Sequence, residues 1–177
     1  MLLTDARRWL VIGNSGSGKT TLATRIAATL AVPHVELDAL HWQAGWAANP
    51  TFVEDVSAMT AGPGWVVDGF YPDVRPLLTE RADVLVWLDP LPALILWRVT
   101  SRTVVRRLRR TTLWNGNVEP PLRTFFTDDE HVIRWAASTL TLHGPRVRAA
   151  LAANPDLRLV HLRSSADAER LLARLGG

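Results

Sequence analysis

The sequence predicts an α/β fold of the P-loop NTPase class: a five-stranded parallel sheet with helices on both faces and a small lid excursion. Three observations predict it. Short apolar runs alternate with helical patterns five times along 177 residues. One run, Val84-Leu85-Val86-Trp87-Leu88, is apolar throughout, as strands buried on both faces of a parallel sheet are. The first run, Arg8-Trp9-Leu10-Val11-Ile12, leads through Gly13-Asn14-Ser15-Gly16-Ser17-Gly18-Lys19-Thr20 into a helical pattern. That segment is a full match to G-x-x-x-x-G-K-[ST] in its required strand–loop–helix setting.

The elements follow in order. Residues 21–30 read as a helix with Leu22, Ile26 and Leu30 on one face, and Val32-Pro33 ends it. His34-Val35-Glu36-Leu37 reads as a second strand. A loop marked by Gly45 and Pro50 precedes a helix for which Thr51 and Glu54 form a candidate capping box. Gly62-Pro63-Gly64 stops that helix, Trp65-Val66-Val67 is the third strand, and residues 73–81 are a short helix. After the strand at 84–88, a long helix runs from Pro90 to about Arg110. Residues 111–121 are polar, residues 125–153 mainly helical with a candidate break at Gly144-Pro145, residues 157–162 the last strand and 167–175 a closing helix. Trp9, Trp65, Trp87 and Trp97 are expected in the core.

Length and the absence of an internal repeat or long linker predict one domain, 1–177, with a lid at about 111–123. No stretch approaches 18 apolar residues, so no membrane span is expected, and without a signal pattern the expected location is the cytoplasm. The absence of cysteine excludes disulfides and thiolate metal sites. The net charge is a modest +3, but six arginines and no acid lie between Asp89 and Glu119. Beside a P-loop such a segment suits nucleotide phosphates better than nucleic acid. The oligomeric state is open.

The P-loop residues carry distinct chemistry. Gly13, Gly16 and Gly18 let the backbone turn its N–H groups into one cavity, with Asn14, Ser15 and Ser17 between them and Thr21 following. Lys19 reaches the β- and γ-phosphates of ATP, and Thr20 ligates the accompanying Mg²⁺. Lys19 is the one lysine among nineteen arginines, and an arginine fork is too bulky and planar for this seat.

Ligands of such sheets bind beyond the carboxyl ends of the strands, where Asp38, Asp68 and Asp89 lie. Asp68-Gly69 is placed to organise the Mg²⁺ shell, partly through water. Asp38 is placed on the acceptor side, able to take a proton from a hydroxyl, or else to cap a helix. Asp89 reads equally as a Mg²⁺ organiser and as a helix cap before Pro90. His41 and Trp42 are candidate acceptor contacts, Trp42 with Trp46 as a stacking wall. Arg98, Arg102, Arg106 and Arg110 share one helix face without acidic partners at i,i+4, a face suited to clamping phosphates and the transferring phosphoryl group. Residues 111–123 would then be a lid that excludes water.

In order and approximate spacing, the P-loop, Val67-Asp68-Gly69-Phe70, Arg98-Val99-Thr100-Ser101-Arg102 and Asp128-Asp129 with Arg134 resemble adenylate kinases. Asp38-Ala39-Leu40-His41-Trp42, Trp65-Val66-Val67-Asp68-Gly69 and Leu113-Trp114-Asn115-Gly116-Asn117 resemble the adenylate-kinase-related topology modulation proteins. The resemblance implies that Arg98 stacks near the ATP base, Arg102 contacts its phosphates, Arg75 is the arginine after Asp-Gly-Phe, and Arg123 and Arg134 match lid or post-lid arginines. It implies an ATP- and Mg²⁺-dependent phosphotransferase of the nucleoside monophosphate kinase type, with Lys19, Asp38, Asp68 and Arg102 in the chemistry and Asp38, His41, Trp42, Arg75 and Arg134 around a small acceptor. Two departures stand out. Tyr71-Pro72-Asp73-Val74 separates Phe70 from Arg75, and Asp38 occupies the acceptor segment, where an incoming phosphate needs no base. A hydroxyl kinase with Asp38 as base is therefore the alternative, and a non-catalytic ATP-binding regulator acting through a partner or DNA is the rival of another class. No nucleic-acid-binding module is recognised, so no nucleic-acid partner is expected.

Overall fold

The computed structural model of the protein describes residues 3–109, 111–117 and 136–176. The predicted five strands form one wholly parallel sheet: β1 (Arg8–Gly13), β2 (His34–Glu36), β3 (Trp65–Asp68), β4 (Val84–Leu88) and β5 (Arg158–Leu162), in the order β2-β3-β1-β4-β5. The helices that position the site are α1 (Lys19–Leu30), α2 (Leu37–His41), α3 (Phe52–Met59), α4 (Arg75–Arg81), α5 (Pro92–Leu108), α6 (His143–Ala153) and α7 (Ser165–Gly176).

Alternation along the strands divides the core between the two faces. Trp9 and Val11 of β1, with Val84 and Val86 of β4, pack against Leu22 and Ile26 of α1 and Leu171 and Leu172 of α7. Leu10, Ile12 and Leu85 point the other way, onto Val56 of α3, Leu78 of α4 and Val147 and Ala150 of α6. This two-sided burial is why the strands read as unbroken apolar runs. At the sheet's lower end Asp83 joins β1 to β4, accepting from the Arg8 backbone N–H at 2.9 Å and from its Nη2 at 2.6 Å.

Parallel register fixes what meets at the upper end. Asp68 pairs with Val11 and with Glu36, and Gly13 pairs with Leu88. The chain continues from β1 to strands on both sides of it, so the loop after β1 opens at a switch point. That loop, residues 14–18, is the middle of the glycine-rich segment 13–20.

Several local expectations are corrected. Leu37, expected as the end of the second strand, instead opens a short helix over residues 37–41. Thr51 and Glu54 build no capping box; Thr51 instead donates from Oγ1 to Asp55 and Asn49. The helix expected at 73–81 begins at Arg75, and Gly144-Pro145 lies in the first turn of α6 instead of breaking a helix. Trp97, expected in the core, is 68% exposed on α5, whose inward face is Ile95 and Val99.

Candidate active site

The glycine-rich loop turns back on itself, with Ser17 N donating to Asn14 O at 3.0 Å. Gly16 has φ 81°, and a Cβ there would lie 2.6 Å from Val99 Cγ2, so the absence of a side chain lets α5 pack directly on the loop. Gly18 stands at the N-cap of α1 and offers no side-chain acceptor, leaving the first-turn N–H groups and the positive end of the helix dipole to an anion. Asn14 Nδ2 and Ser17 Oγ are buried without a protein partner among the described residues, as polar atoms facing a ligand are. Lys19 and Thr20 are half-buried at the start of the helix.

Beside the loop lies a cavity of about 400 Å³ between the start of α1, α5 and the β5–α7 turn. Gly16, Gly18 and Thr21 form one wall, Arg98 and Arg102 another, and Leu94, Leu162 and Ser164 complete it. Arg102 donates from Nη2 to Ser15 Oγ at 2.9 Å, which holds a guanidinium against the phosphate cradle. Arg25 of α1 and Glu169 of α7 close the rim with a bidentate ion pair. Volume and lining suit a nucleotide whose phosphates lie on the loop.

On the other side of the loop, carboxylates gather. Asp68 is 1% exposed, and neither of its oxygens has a hydrogen-bond partner among the described residues. His34 Nε2 lies 3.4 Å from Asp68 Oδ1, and His34 Nδ1 is 3.3 Å from Thr24 Oγ1, which itself donates to Thr20 O. A buried carboxylate whose oxygens accept no hydrogen bond from the described residues fits a hydrated Mg²⁺. Among the described residues no group of three or more His, Asp and Glu converges to hold a metal alone, so Thr20, Asp68, water and nucleotide oxygens would share it.

Glu36 is the residue that sequence reasoning missed. Burial pushes its carboxyl up; the Trp114 indole opposes that, the charges of Asp68 and Asp38 reinforce it, and Lys19 lowers it again. It belongs to the same group of charges. The signal was present, since Glu36 is an acid at a strand end, but it was read as a residue within the strand.

Asp38 lies in the first turn of α2 and caps nothing; its Oδ1 accepts from the Tyr71 hydroxyl at 2.7 Å. Burial, then the charge of Asp38, raise Tyr71 far above its ordinary pKa, so it stays a phenol and a donor. Gly69 makes this approach possible: a Cβ there, at φ 122°, would meet Leu37 Cβ at 2.9 Å. His41 is walled by Trp42, Phe52 and Tyr71, with ring centroids 4.6, 4.8 and 4.4 Å away, and burial lowers its pKa against the pull of Asp38 and Asp73. It is part of an aromatic wall with Trp42, Phe52 and Tyr71.

Opposite these acids stands a cationic group. Arg75 lies over the Phe70 ring at 4.8 Å and donates to Phe70 O at 3.3 Å, while its Nε is buried without a partner. Burial, then the Arg146 guanidinium, lower its pKa. The buried His143 is held down to about 4 by desolvation, then by Arg146, Lys19 and Arg75, with Asp89 opposing. Arg146 and His143 are further residues that sequence reasoning did not find.

Asp89 is not the cap of α5, whose N-cap is Leu91. Its Oδ2 meets His161 Nε2 at 3.0 Å, and His161 stacks on Trp87 at 4.1 Å. Arg110, Arg123, Asp128, Asp129 and Arg134 lie outside the described residues, as does the lid beyond 117.

Solved structures place this arrangement in a known fold. A shikimate kinase from Acinetobacter baumannii in complex with shikimate matches at a TM-score of 0.56 and 16% identity, over 97% of this chain and 92% of that one. A gluconokinase from Sinorhizobium meliloti 1021 matches at 0.53 and 19%, over 97% and 94%. A shikimate kinase from Bacteroides thetaiotaomicron matches at 0.54 and 18%, over 96% of each chain. The fold is that of the P-loop kinases. No family model matches the chain, and no curated protein does. No described helix is long and apolar enough to cross a membrane.

Proposed function

We propose that the protein is an ATP- and Mg²⁺-dependent kinase that phosphorylates a hydroxyl group on a small, anionic acceptor. One observation carries this reading: Asp38 is held by Tyr71 through one oxygen, on the acceptor side of the P-loop, with its other oxygen without a protein partner among the described residues. A hydroxyl acceptor needs a base there, whereas the phosphate of a nucleoside monophosphate does not. The other carboxylates near Lys19, Glu36 and Asp68, would also repel an incoming phosphate dianion. Arg75 lies within the electrostatic reach of Arg146, with no acidic partner for either among the described residues, a setting suited to an anionic group elsewhere on the acceptor.

In the reaction the acceptor hydroxyl oxygen forms a bond to Pγ as the bond from Pγ to the β–γ bridging oxygen breaks, and ADP departs with that electron pair. Asp38 takes the hydroxyl proton. Lys19, Arg102 and the N–H groups of the loop stabilise the charge spread over the transferring phosphoryl group. Thr20 and, through water, Asp68 would hold Mg²⁺, which would supply charge neutralisation of the phosphates. Arg98 and Arg102 hold the nucleotide in its cavity.

The nucleoside monophosphate kinase reading keeps one supporting observation. Trp42, Trp46 and Trp114 meet edge to face, with centroids 5.8 and 6.4 Å apart, and such a wall suits a base.

The test is ADP release from ATP·Mg²⁺ with a panel of hydroxy acids, neutral polyols, nucleosides and nucleoside monophosphates, beside a no-acceptor control and Lys19→Ala. Stimulation by a hydroxy acid is expected. Stimulation by a monophosphate alone would overturn the hydroxyl reading, and ATP binding without any acceptor-dependent turnover would point to a regulator.

A further inference from the structure

Leu113-Trp114-Asn115-Gly116-Asn117 carries part of the family resemblance, yet the chemistry above does not use it. The structure gives this turn partners on the acceptor side. Leu113 N closes it on Asn117 O at 2.6 Å, and Asn115 and Gly116 take φ 54° and 82°. Asn115 Nδ2 then donates to Trp42 O at 2.6 Å and to Ala39 O at 3.4 Å. The Asn117 side chain, 4% exposed as a residue, donates from Nδ2 to Gln43 O at 2.9 Å and accepts from Trp46 N at 3.1 Å. Its amide pairs with the backbone of residues 43–46 much as a strand neighbour would. The facing turn is bent the same way, with Gly45 at φ 73° and the bulky Trp46 at 61°. That geometry strains a tryptophan, so the loop relies on partners to keep it. Trp114 completes the contact, with its ring against Trp46 and its indole close enough to Glu36 to favour the charged carboxylate.

The other end of the turn is tied to the nucleotide side. Four residues, 109–112, separate Leu113 from the end of α5 at Leu108, and Thr111 N donates back to Arg106 O at 2.9 Å. Helix α5 bears Arg98 and Arg102 and rests on the P-loop through Val99 and the Arg102–Ser15 bond. A nucleotide held by those arginines restrains α5, and a connection this short passes the restraint on.

We propose that residues 113–117 are a clasp that positions the acceptor loop, residues 39–46, and the Glu36 carboxylate when nucleotide occupies the P-loop. Asn115, Asn117 and Trp114 are positioning residues that touch neither ATP nor the reacting atoms. The proposal rests on the nucleotide reading of the P-loop and α5, not on the identity of the acceptor.

Hydrogen exchange of the full chain with and without ADP·Mg²⁺ tests it, with binding measured on the same samples by calorimetry. In the unaltered protein ADP·Mg²⁺ slows exchange across residues 39–47 about fivefold or more, the low end of ordinary coupling between sites, and in Asn117→Ala the response falls below about twofold while affinity stays within about threefold. Asn115 is exposed at φ 54°, a conformation glycine adopts freely, so Asn115→Gly keeps the turn, removes the Nδ2 donor and weakens the same response even if the buried Asn117 tolerates no change. ADP·Mg²⁺ that binds without altering exchange at 39–47, or a response in both variants as large as in the unaltered protein, would overturn the clasp. Absence of ADP·Mg²⁺ binding would overturn the nucleotide reading and the clasp with it.

Discussion

The Tyr71 hydroxyl donates to Asp38 Oδ1 at 2.7 Å, tying the turn after β3 to the first turn of α2. The bond fixes the carboxylate and leaves Oδ2 to take the proton in the proposed reaction. Asp38→Asn should lower phosphoryl transfer by about 10²–10⁴-fold, the usual contribution of a positioned base, with ATP affinity little changed. Tyr71→Phe should lower kcat by about tenfold, as loss of one hydrogen bond of roughly 1–1.5 kcal/mol would. Single-turnover rates with the acceptor found by the panel check both. Equal rates in Asp38→Asn and the unaltered protein would remove the base.

Lys19→Ala should cut transfer by about 10²–10³-fold, because it removes a charge aimed at the transferring phosphoryl group. Its thermal midpoint should stay close to that of the unaltered protein, since Lys19 is half-buried at the start of α1 and outside both core clusters. Unfolding followed by circular dichroism separates loss of chemistry from loss of fold.

Gly69→Ala should destabilise the protein by about 1–3 kcal/mol, from a left-handed backbone and a crowded Leu37. Leu37 immediately precedes Asp38, so the same change displaces the base and transfer falls as well. Urea midpoints and steady-state rates on one preparation read both effects.

His143 gives the fold a pH dependence of definite sign. Its folded pKa, about 4, lies below that of an exposed histidine, so between these values the unfolded chain binds the proton and the folded chain does not. Its effect is therefore absent above about pH 6.5, and stability falls as pH drops from there toward 4, at up to about 1.4 kcal/mol per pH unit. The charges facing it from other elements are Lys19, Arg75 and Asp89, with Arg146 on its own helix. Urea unfolding at pH 7 and pH 5 should show a smaller loss in His143→Gln than in the unaltered protein.

The sheet was legible because parallel strands buried on both faces write themselves as apolar runs, and the P-loop because its chemistry allows few substitutions. Asp38, Asp68, Arg98 and Arg102 were legible as acids at strand ends or as cations on one helix face. What escaped depends on distance along the chain. Glu36 looks like any polar residue in a short strand until register sets it beside Asp68. Arg146 and His143 join Lys19 and Arg75 only because α6 packs on the sheet, and no local pattern announces that. Trp97 misled for the opposite reason: a large apolar residue reads as core, while on α5 the helical period turns it outward.

Lys19 is the chain's one lysine, and it stands at the first residue of α1. A lysine-specific protease therefore has a single peptide bond to cut, the one joining Lys19 to Thr20. That bond lies inside a helical turn at the heart of the phosphate cradle, so scission waits on local opening. Anything that fills the cradle slows the cut, and the surviving intact chain becomes a gauge of occupancy that needs no label.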